Sequence, residues 1–291
     1  MASSGSPSTP SSQDLLVVGP GVLGGYLGKL WKEAHPGATV VGMTNTTTSH
    51  GRLKELGLEP ATRDTLPARK FPYVAFCAPP SGSQDYPADV GAAARDMWDG
   101  TGSFVFTSSM SVCSAENGET VTDADCPLVP LGKGPGTDKM LGAESAVLGV
   151  GGNVLRLVGL YHAGRGAHTF FLKAKEVARW GGYVVNLCHY EDAAALAAAV
   201  LRGDGEGPFR GEAFIGCDNT PVTFADMIVA CNTSGVPVLQ GEVKWTLPEE
   251  QASKGKRVLN DGTRKRLGGW VPKYPSFAEF CASGAKDFYT A

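Results

Sequence analysis

The chain has 291 residues, 42% of them hydrophobic, and a formal net charge of −3. That length and apolar content suit one large domain, or one domain with an appended lobe, around a sizeable core. The absence of a basic tract weighs against a nucleic-acid partner, and no apolar run approaches the ~20 residues a membrane-spanning helix needs.

In chain order, the opening "MASSGSPSTPSS" is rich in Ser and Pro and carries no charge before Asp14. Residues 1–13 are therefore expected to be disordered. "DLLVVG" (14–19) reads as a buried strand, and "VLGGYLGKLWKEA" (22–34) places Leu23, Leu27 and Leu30 at helical spacing. "ATVVGMT" (38–44) and "YVAFCAPP" (73–80) read as strands, the latter stopped by Pro79 and Pro80. A helix is predicted over 89–98, a fifth apolar run over 102–110 and a sixth over 153–161. Strands alternating with helices predict parallel βαβ units with right-handed crossovers. The fold class expected is α/β, a doubly wound parallel sheet of the Rossmann type.

Beyond residue 161 the rhythm loosens. A strand or turn leads into an Ala-rich helix across 183–203, and a strand follows over 212–218. A helix over 223–235 opens on Thr223-x-x-Asp226, a capping box with Asp for Glu. Residues 14–161 are expected to form the dinucleotide-binding core, and 162–291 a small substrate-side lobe interleaved with it. In "RKRLGGWVP" (264–272), Gly268 and Gly269 should end a short helix and Trp270 should anchor the lobe.

The first strand-to-helix turn, Gly19-Pro20-Gly21-Val22-Leu23-Gly24, matches GxGxxG. Gly19 permits the tight turn, Gly21 lets a pyrophosphate approach the backbone, and Gly24 lets the helix pack on the strand. The helix N-terminus offers N–H groups and partial positive charge to phosphate. After the second strand, "MTNTTTSHGRLK" (43–54) holds no acid where NAD-binding proteins place one for the ribose 2′-OH. Thr44 and Asn45 offer polar groups there, with His50, Arg52 and Lys54 nearby. NADP is thus favoured, with NAD as the alternative. Ser108, Ser109 and Ser111 fall at the carboxyl end of the fifth run, where α/β sheets bind ligands or where Ser merely caps a turn.

The seven cysteines, Cys77, Cys113, Cys126, Cys188, Cys217, Cys231 and Cys281, are odd in number and form no CxxC pair. Reduced, buried thiols in a reducing compartment are expected, with no metal site.

"VVGPGVLGGYLG", "FVFTSSMSV", "DKMLGAESAVL", "VLRLVGLYHAGRGA", "HYEDAAALAAAVL" and "RKRLGGWVPKYPSFAEF" follow one another in an order that resembles the extended short-chain dehydrogenase/reductase superfamily, related to the nucleotide-sugar epimerases. Within it the chain is most similar to the atypical branch of bacterial YeeZ-like proteins and plant or algal NAD(P)-binding Rossmann-fold proteins. The resemblance covers nearly all of 14–283 and implies a sheet of about seven strands. It implies that Gly19, Gly21, Val22, Leu23 and Gly24 meet the cofactor phosphates. Thr44, Asn45, Cys77, Ala78, Pro79 and Ser108 would line the rest of the cofactor site. Ser109 matches the active-site serine and Lys139 the active-site lysine, which also holds the cofactor ribose.

The relatives' acid/base is a tyrosine four residues before that lysine, on the same helical face. Here that position is Pro135, which has no titratable group and suits a helix's first turn. Tyr161 and His168 are the proton-transfer candidates, with His162, Arg165, His189 and Asp192 in the same segments. The competing reading is that the tyrosine packs and the His189/Asp192 segment holds the C-terminal lobe. Two functions follow. One is an oxidoreductase or epimerase-like enzyme on a small polar substrate. The other is a non-catalytic dinucleotide-binding redox sensor, assembly factor or subunit. A homodimer or a protein partner is compatible with either. The plant-like resemblance and Ser-rich start point to the chloroplast, and the short, arginine-free leader to the cytoplasm.

Overall fold

The computed structural model describes residues 11–287. Seven parallel strands form the central sheet: β1 (Leu15–Val18), β2 (Val40–Thr44), β3 (Glu59–Thr62), β4 (Phe71–Phe76), β5 (Trp98–Ser109), β6 (Asn153–Leu157) and β7 (Ala213–Gly216). Their spatial order is β7-β6-β5-β4-β1-β2-β3, and every neighbouring pair runs parallel. The chain leaves β1 toward one edge and returns to its other side at β4. This reversal opens a crevice beyond the carboxyl ends of β1 and β4, where doubly wound sheets bind ligands.

The helices are α1 (Val22–Ala34), α2 (His50–Glu55), α3 (Tyr86–Asp96), α4 (Pro135–Leu148), α5 (Ala167–Ala174), α6 (Tyr190–Arg202), α7 (Phe224–Thr233), α8 (Asp261–Arg266) and α9 (Phe277–Ala282). Successive side chains of β1 take opposite faces, as the pleat requires. Leu15 and Val17 pack with Leu27 and Trp31 of α1 and Leu196 and Val200 of α6. Leu16 and Val18 pack with Val90 of α3 and Ala143 and Val147 of α4. Burial on both faces explains why these strands read as unbroken apolar runs.

A third apolar cluster lies outside the three-layer sandwich. Tyr161, Leu187, Met227, Cys231, Phe277 and Phe280 build it from the short strands Gly159–Tyr161 and Leu187–His189 together with α7 and α9. Those two strands pair in parallel, Tyr161 opposite His189. The second half of the chain also serves the sheet, since β7 pairs with β6 and α6 covers one face.

Several elements depart from expectation. Residues 1–10 lie outside the described residues, but 11–13 are not free: Ser11 N–H donates to Asp14 at 3.1 Å and Gln13 N–H to Ser11 Oγ at 3.2 Å. The predicted helix over 89–98 begins three residues earlier, where the Asp85 carboxylate caps Ala88 N–H. Trp98 belongs to β5 instead and donates its indole N–H to the Pro72 carbonyl. Pro135 does open α4, at its first helical turn. Thr223 caps α7, accepting from Asp226 N–H and donating to the Asp226 carboxylate. Gly268 and Gly269 follow α8 with φ of 71° and 83°. All seven cysteines are free thiols, five of them buried. No helix among the described residues is long and apolar enough to cross a membrane.

Candidate functional site

The crevice holds a cavity of about 740 Å³. The Gly19–Gly24 turn forms its floor, with Thr44 and Asn45 after β2, Cys77, Ala78 and Pro79 after β4, and Thr107, Ser108 and Ser109 at the end of β5. All the cofactor-side residues expected from sequence meet here except Lys139.

The turn is shaped by its glycines. Gly19 has φ of 75°, and a Cβ there would lie 2.5 Å from the Ala78 backbone. A Cβ on Gly24 would meet Val17 at 2.7 Å. At Gly21 a Cβ would meet nothing within 4 Å, because that face opens on the cavity. Gly21 is also the N-cap of α1, with no side chain capping it and no acid in the first turn. A missing Cβ over open space, at the head of a 13-residue helix, fits the diphosphate of a dinucleotide.

The charge of the cavity is equally one-sided. Its lining contains no Asp, Glu, Lys or His, and its charged residues are Arg52 of α2 and Arg165. At the β2 end, the Thr44 hydroxyl hydrogen-bonds His50 Nε2 at 2.9 Å and the Thr46 carbonyl at 2.8 Å, so it orders its own loop.

The serines divide their tasks. Ser108 Oγ donates to Glu144 Oε1 at 2.5 Å. Arg156 donates to both oxygens of that carboxylate, at 2.8–3.2 Å. Glu144 and Arg156 are buried, and a buried, satisfied pair of this kind fixes local geometry more than it adds stability. Ser108 therefore lines the cavity with its hydroxyl already committed. Ser109 is half-buried, accepts Ser111 N–H at 3.2 Å, and lines both this cavity and a second one.

The second cavity measures about 780 Å³ and shares Ser109, Leu157 and Val158 with the first. Its titratable lining comprises Cys113, Glu116, Lys133, Tyr183 and Lys256. The Lys256 ammonium donates to the Met110 and Cys113 carbonyls, which ties down the turn after β5. None of these five residues stood out in the sequence, because none sits in a motif; only the fold gathers them.

Two expected catalytic residues are not brought to either cavity. Lys139 is exposed on α4 and lines neither. Tyr161 is fully buried, edge-on to His189, Phe277 and Phe280, and its hydroxyl has no hydrogen-bond partner among the described residues. Burial, reinforced by Asp218, pushes its phenol far above the ordinary range. In this arrangement Tyr161 packs in the third apolar cluster and lines neither cavity.

The histidine candidates are structural too. His168 is buried against the Ala163 carbonyl, and burial lowers its pKa. His189 caps α6 by accepting Glu191 N–H and meets Asp287 at 3.3 Å. The Asp192 carboxylate accepts the backbone N–H groups of Lys273 and Tyr274 at 2.6 and 3.0 Å, pinning the C-terminal segment. Among the described residues no cluster of His, Cys, Asp and Glu is placed to hold a metal ion.

The sequence matches no protein-family model and no curated protein. Solved structures do share its fold. A conserved protein of unknown function from Silicibacter pomeroyi is 22% identical, with a TM-score of 0.70 over 94% of this chain and 98% of that one. UDP-glucuronic acid 4-epimerase from Bacillus cereus, in complex with NAD, is 16% identical with a TM-score of 0.71, covering 93% and 96%. UDP-N-acetylglucosamine 4-epimerase from Bacillus cereus is 16% identical with a TM-score of 0.66, covering 94% and 98%. At these identities the likeness is one of fold.

Proposed function

We propose that the chain is an NADP-binding protein of the atypical branch of the extended short-chain dehydrogenases/reductases, an oxidoreductase or epimerase-like enzyme acting on a small polar substrate. One observation supports this reading: a glycine-turn cavity whose charged lining residues are two arginines adjoins a second cavity, with Ser109, Leu157 and Val158 lining both. Gly21, Val22 and Leu23 would hold the diphosphate. Asn45 and Arg52, at a cavity end where the β2 loop supplies no Asp or Glu, would take a 2′-phosphate in preference to a bare ribose hydroxyl. The bound nicotinamide would supply hydride-transfer chemistry. Ser109 would orient the substrate oxygen, and residues 162–287 would build the far wall of the substrate cavity.

The second reading also has its observation. Pro135 replaces the tyrosine, Lys139 lies outside the cavities and Tyr161 is inaccessible. Binding without chemistry, as in a redox sensor or assembly factor, follows if none of the groups in the second cavity moves a proton. The deciding experiment pairs fluorescence titration of NADPH and NADH with NADPH oxidation over a panel of carbonyl compounds and sugars. The enzyme reading expects turnover of at least one compound, reduced tenfold or more in Ser109→Ala. Tight binding with no turnover supports the binding protein. No binding of either nucleotide removes both.

A further inference from the structure

Arg165 closes a tight two-residue hairpin. His162 and Arg165 exchange backbone hydrogen bonds of 2.9 and 3.0 Å across Ala163-Gly164, and His162 Nδ1 accepts Gly164 N–H. The hairpin is fixed on three sides. Tyr161 is packed in the third apolar cluster, Ala163 N–H donates to the buried Asp287 carboxylate at 3.0 Å, and the Ala163 carbonyl meets His168. Gly166, with φ of 145°, then turns the chain into α5 where any Cβ would strike His168. So firm a base holds up an exposed guanidinium that makes no hydrogen bond or ion pair among the described residues and lines the glycine-turn cavity.

Arg52 lines the same cavity from α2. Both arginines act on the His162 imidazole, whose pKa burial lowers most, Asp287 opposes, and His189 and the two guanidinium groups lower further. Both line the cavity, Arg165 from the hairpin after the Gly159–Tyr161 strand and Arg52 from the helix that follows β2. Among the described residues the lining holds no Asp or Glu, and the Arg165 guanidinium is the one aimed at it with no ion pair, so the opening suits a polyanion.

We propose that Arg165 closes on the diphosphate of the bound dinucleotide, as a second phosphate anchor facing the Gly19–Gly24 turn, while Arg52 reads the 2′-phosphate. This rests on the dinucleotide reading above. The division of labour follows from placement. Arg52 lies beyond the β2 end, on the adenine-ribose side. Arg165 comes from beyond β6, on the side of Ser109, Leu157 and Leu160.

The test is equilibrium titration of purified full-length protein with NADPH, NADH and ADP-ribose, the last bearing the diphosphate but no nicotinamide. Arg165→Ala is expected to weaken all three by a similar factor, about ten- to a hundredfold, with partial recovery in Arg165→Lys. Arg52→Ala is expected to weaken NADPH alone. Unchanged thermal melting of each variant excludes misfolding, and Arg165→Gln replaces any variant that fails it. Arg165→Ala that binds all three like the wild type overturns the anchor but leaves the dinucleotide reading standing. Selective loss of NADPH in Arg165→Ala overturns it too, because Arg165 would then read the 2′-phosphate. Wild-type protein that binds none of the three removes the dinucleotide reading itself.

Discussion

At the scale of single residues, burial decides what a titratable side chain can do. Tyr161 and Lys139 stand away from the cavities in two ways: one side chain is sealed in an aromatic cluster, and the other is exposed on α4. Asp218 shows what burial does to a carboxylate. It is 3% exposed; Oδ1 accepts Thr220 N–H at 2.8 Å and Oδ2 has no hydrogen-bond partner among the described residues. Burial pushes its pKa up to about 7, against smaller pulls from Thr220 N–H and Arg264. The folded state therefore holds a proton that the unfolded chain releases near its ordinary carboxylate pKa. Between about pH 4 and 7 the native state binds more protons, so this residue's contribution to stability falls as pH rises. Asp218→Asn keeps the shape without the charge. Urea denaturation should show the variant matching wild type near pH 4.5 and exceeding it by about 1–3 kcal/mol at pH 8. Parallel pH profiles for the two proteins would show that Asp218 does not titrate in this window.

At the scale of elements, the strand-to-helix turn separates two uses of glycine that the sequence alone presents as one motif. Gly19 is required by the backbone, and Gly21 by whatever lies above it. Gly19→Ala forces a side chain into left-handed backbone and against Ala78, and should cost about 2–3 kcal/mol or more. Gly21→Ala meets no protein atom, so urea denaturation should find it within about 1 kcal/mol of wild type. On the dinucleotide reading its new methyl would stand where the proposed diphosphate sits, and titration should show NADPH affinity reduced at least tenfold. Equal destabilisation by both changes, or Gly21→Ala that still binds NADPH normally, would detach the motif from phosphate binding. The sequence announced the turn, β1, β2, β4, β5, β6 and β7 because the buried stretches of central strands read as short apolar runs. It did not announce α2, where Leu53 is the one buried residue, or β3, an edge strand containing Pro60. Two-residue strands such as Val184–Val185 and Val222–Thr223 are too short for any periodicity to register. The second cavity was illegible for a related reason: Lys133, Tyr183 and Lys256 are far apart in the chain, and only tertiary packing brings them around Ser109.

At the scale of the whole molecule, the end of the described chain is tied to the rim of the glycine-turn cavity. The Asp287 carboxylate accepts Ala163 N–H at 3.0 Å and meets His189 Nε2 at 3.3 Å, with both side chains fully buried. Ala163 lies in the hairpin that carries Arg165, and His189 caps α6, one of the helices covering the sheet. One carboxylate thus holds together the hairpin, the sheet layer and the C-terminal segment. Removing it leaves a buried imidazole and a buried N–H without their partner, at a cost of roughly 3–5 kcal/mol. Asp287→Ala should lower the urea midpoint accordingly. If the tie also positions the hairpin, trypsin should cut after Arg165 faster in the variant than in wild type, under conditions where both remain folded. NADPH should then bind more weakly, and saturating NADPH should slow the cleavage again. A fall in stability with unchanged cleavage and affinity would make Asp287 a staple of the C-terminal segment with no bearing on the cavity.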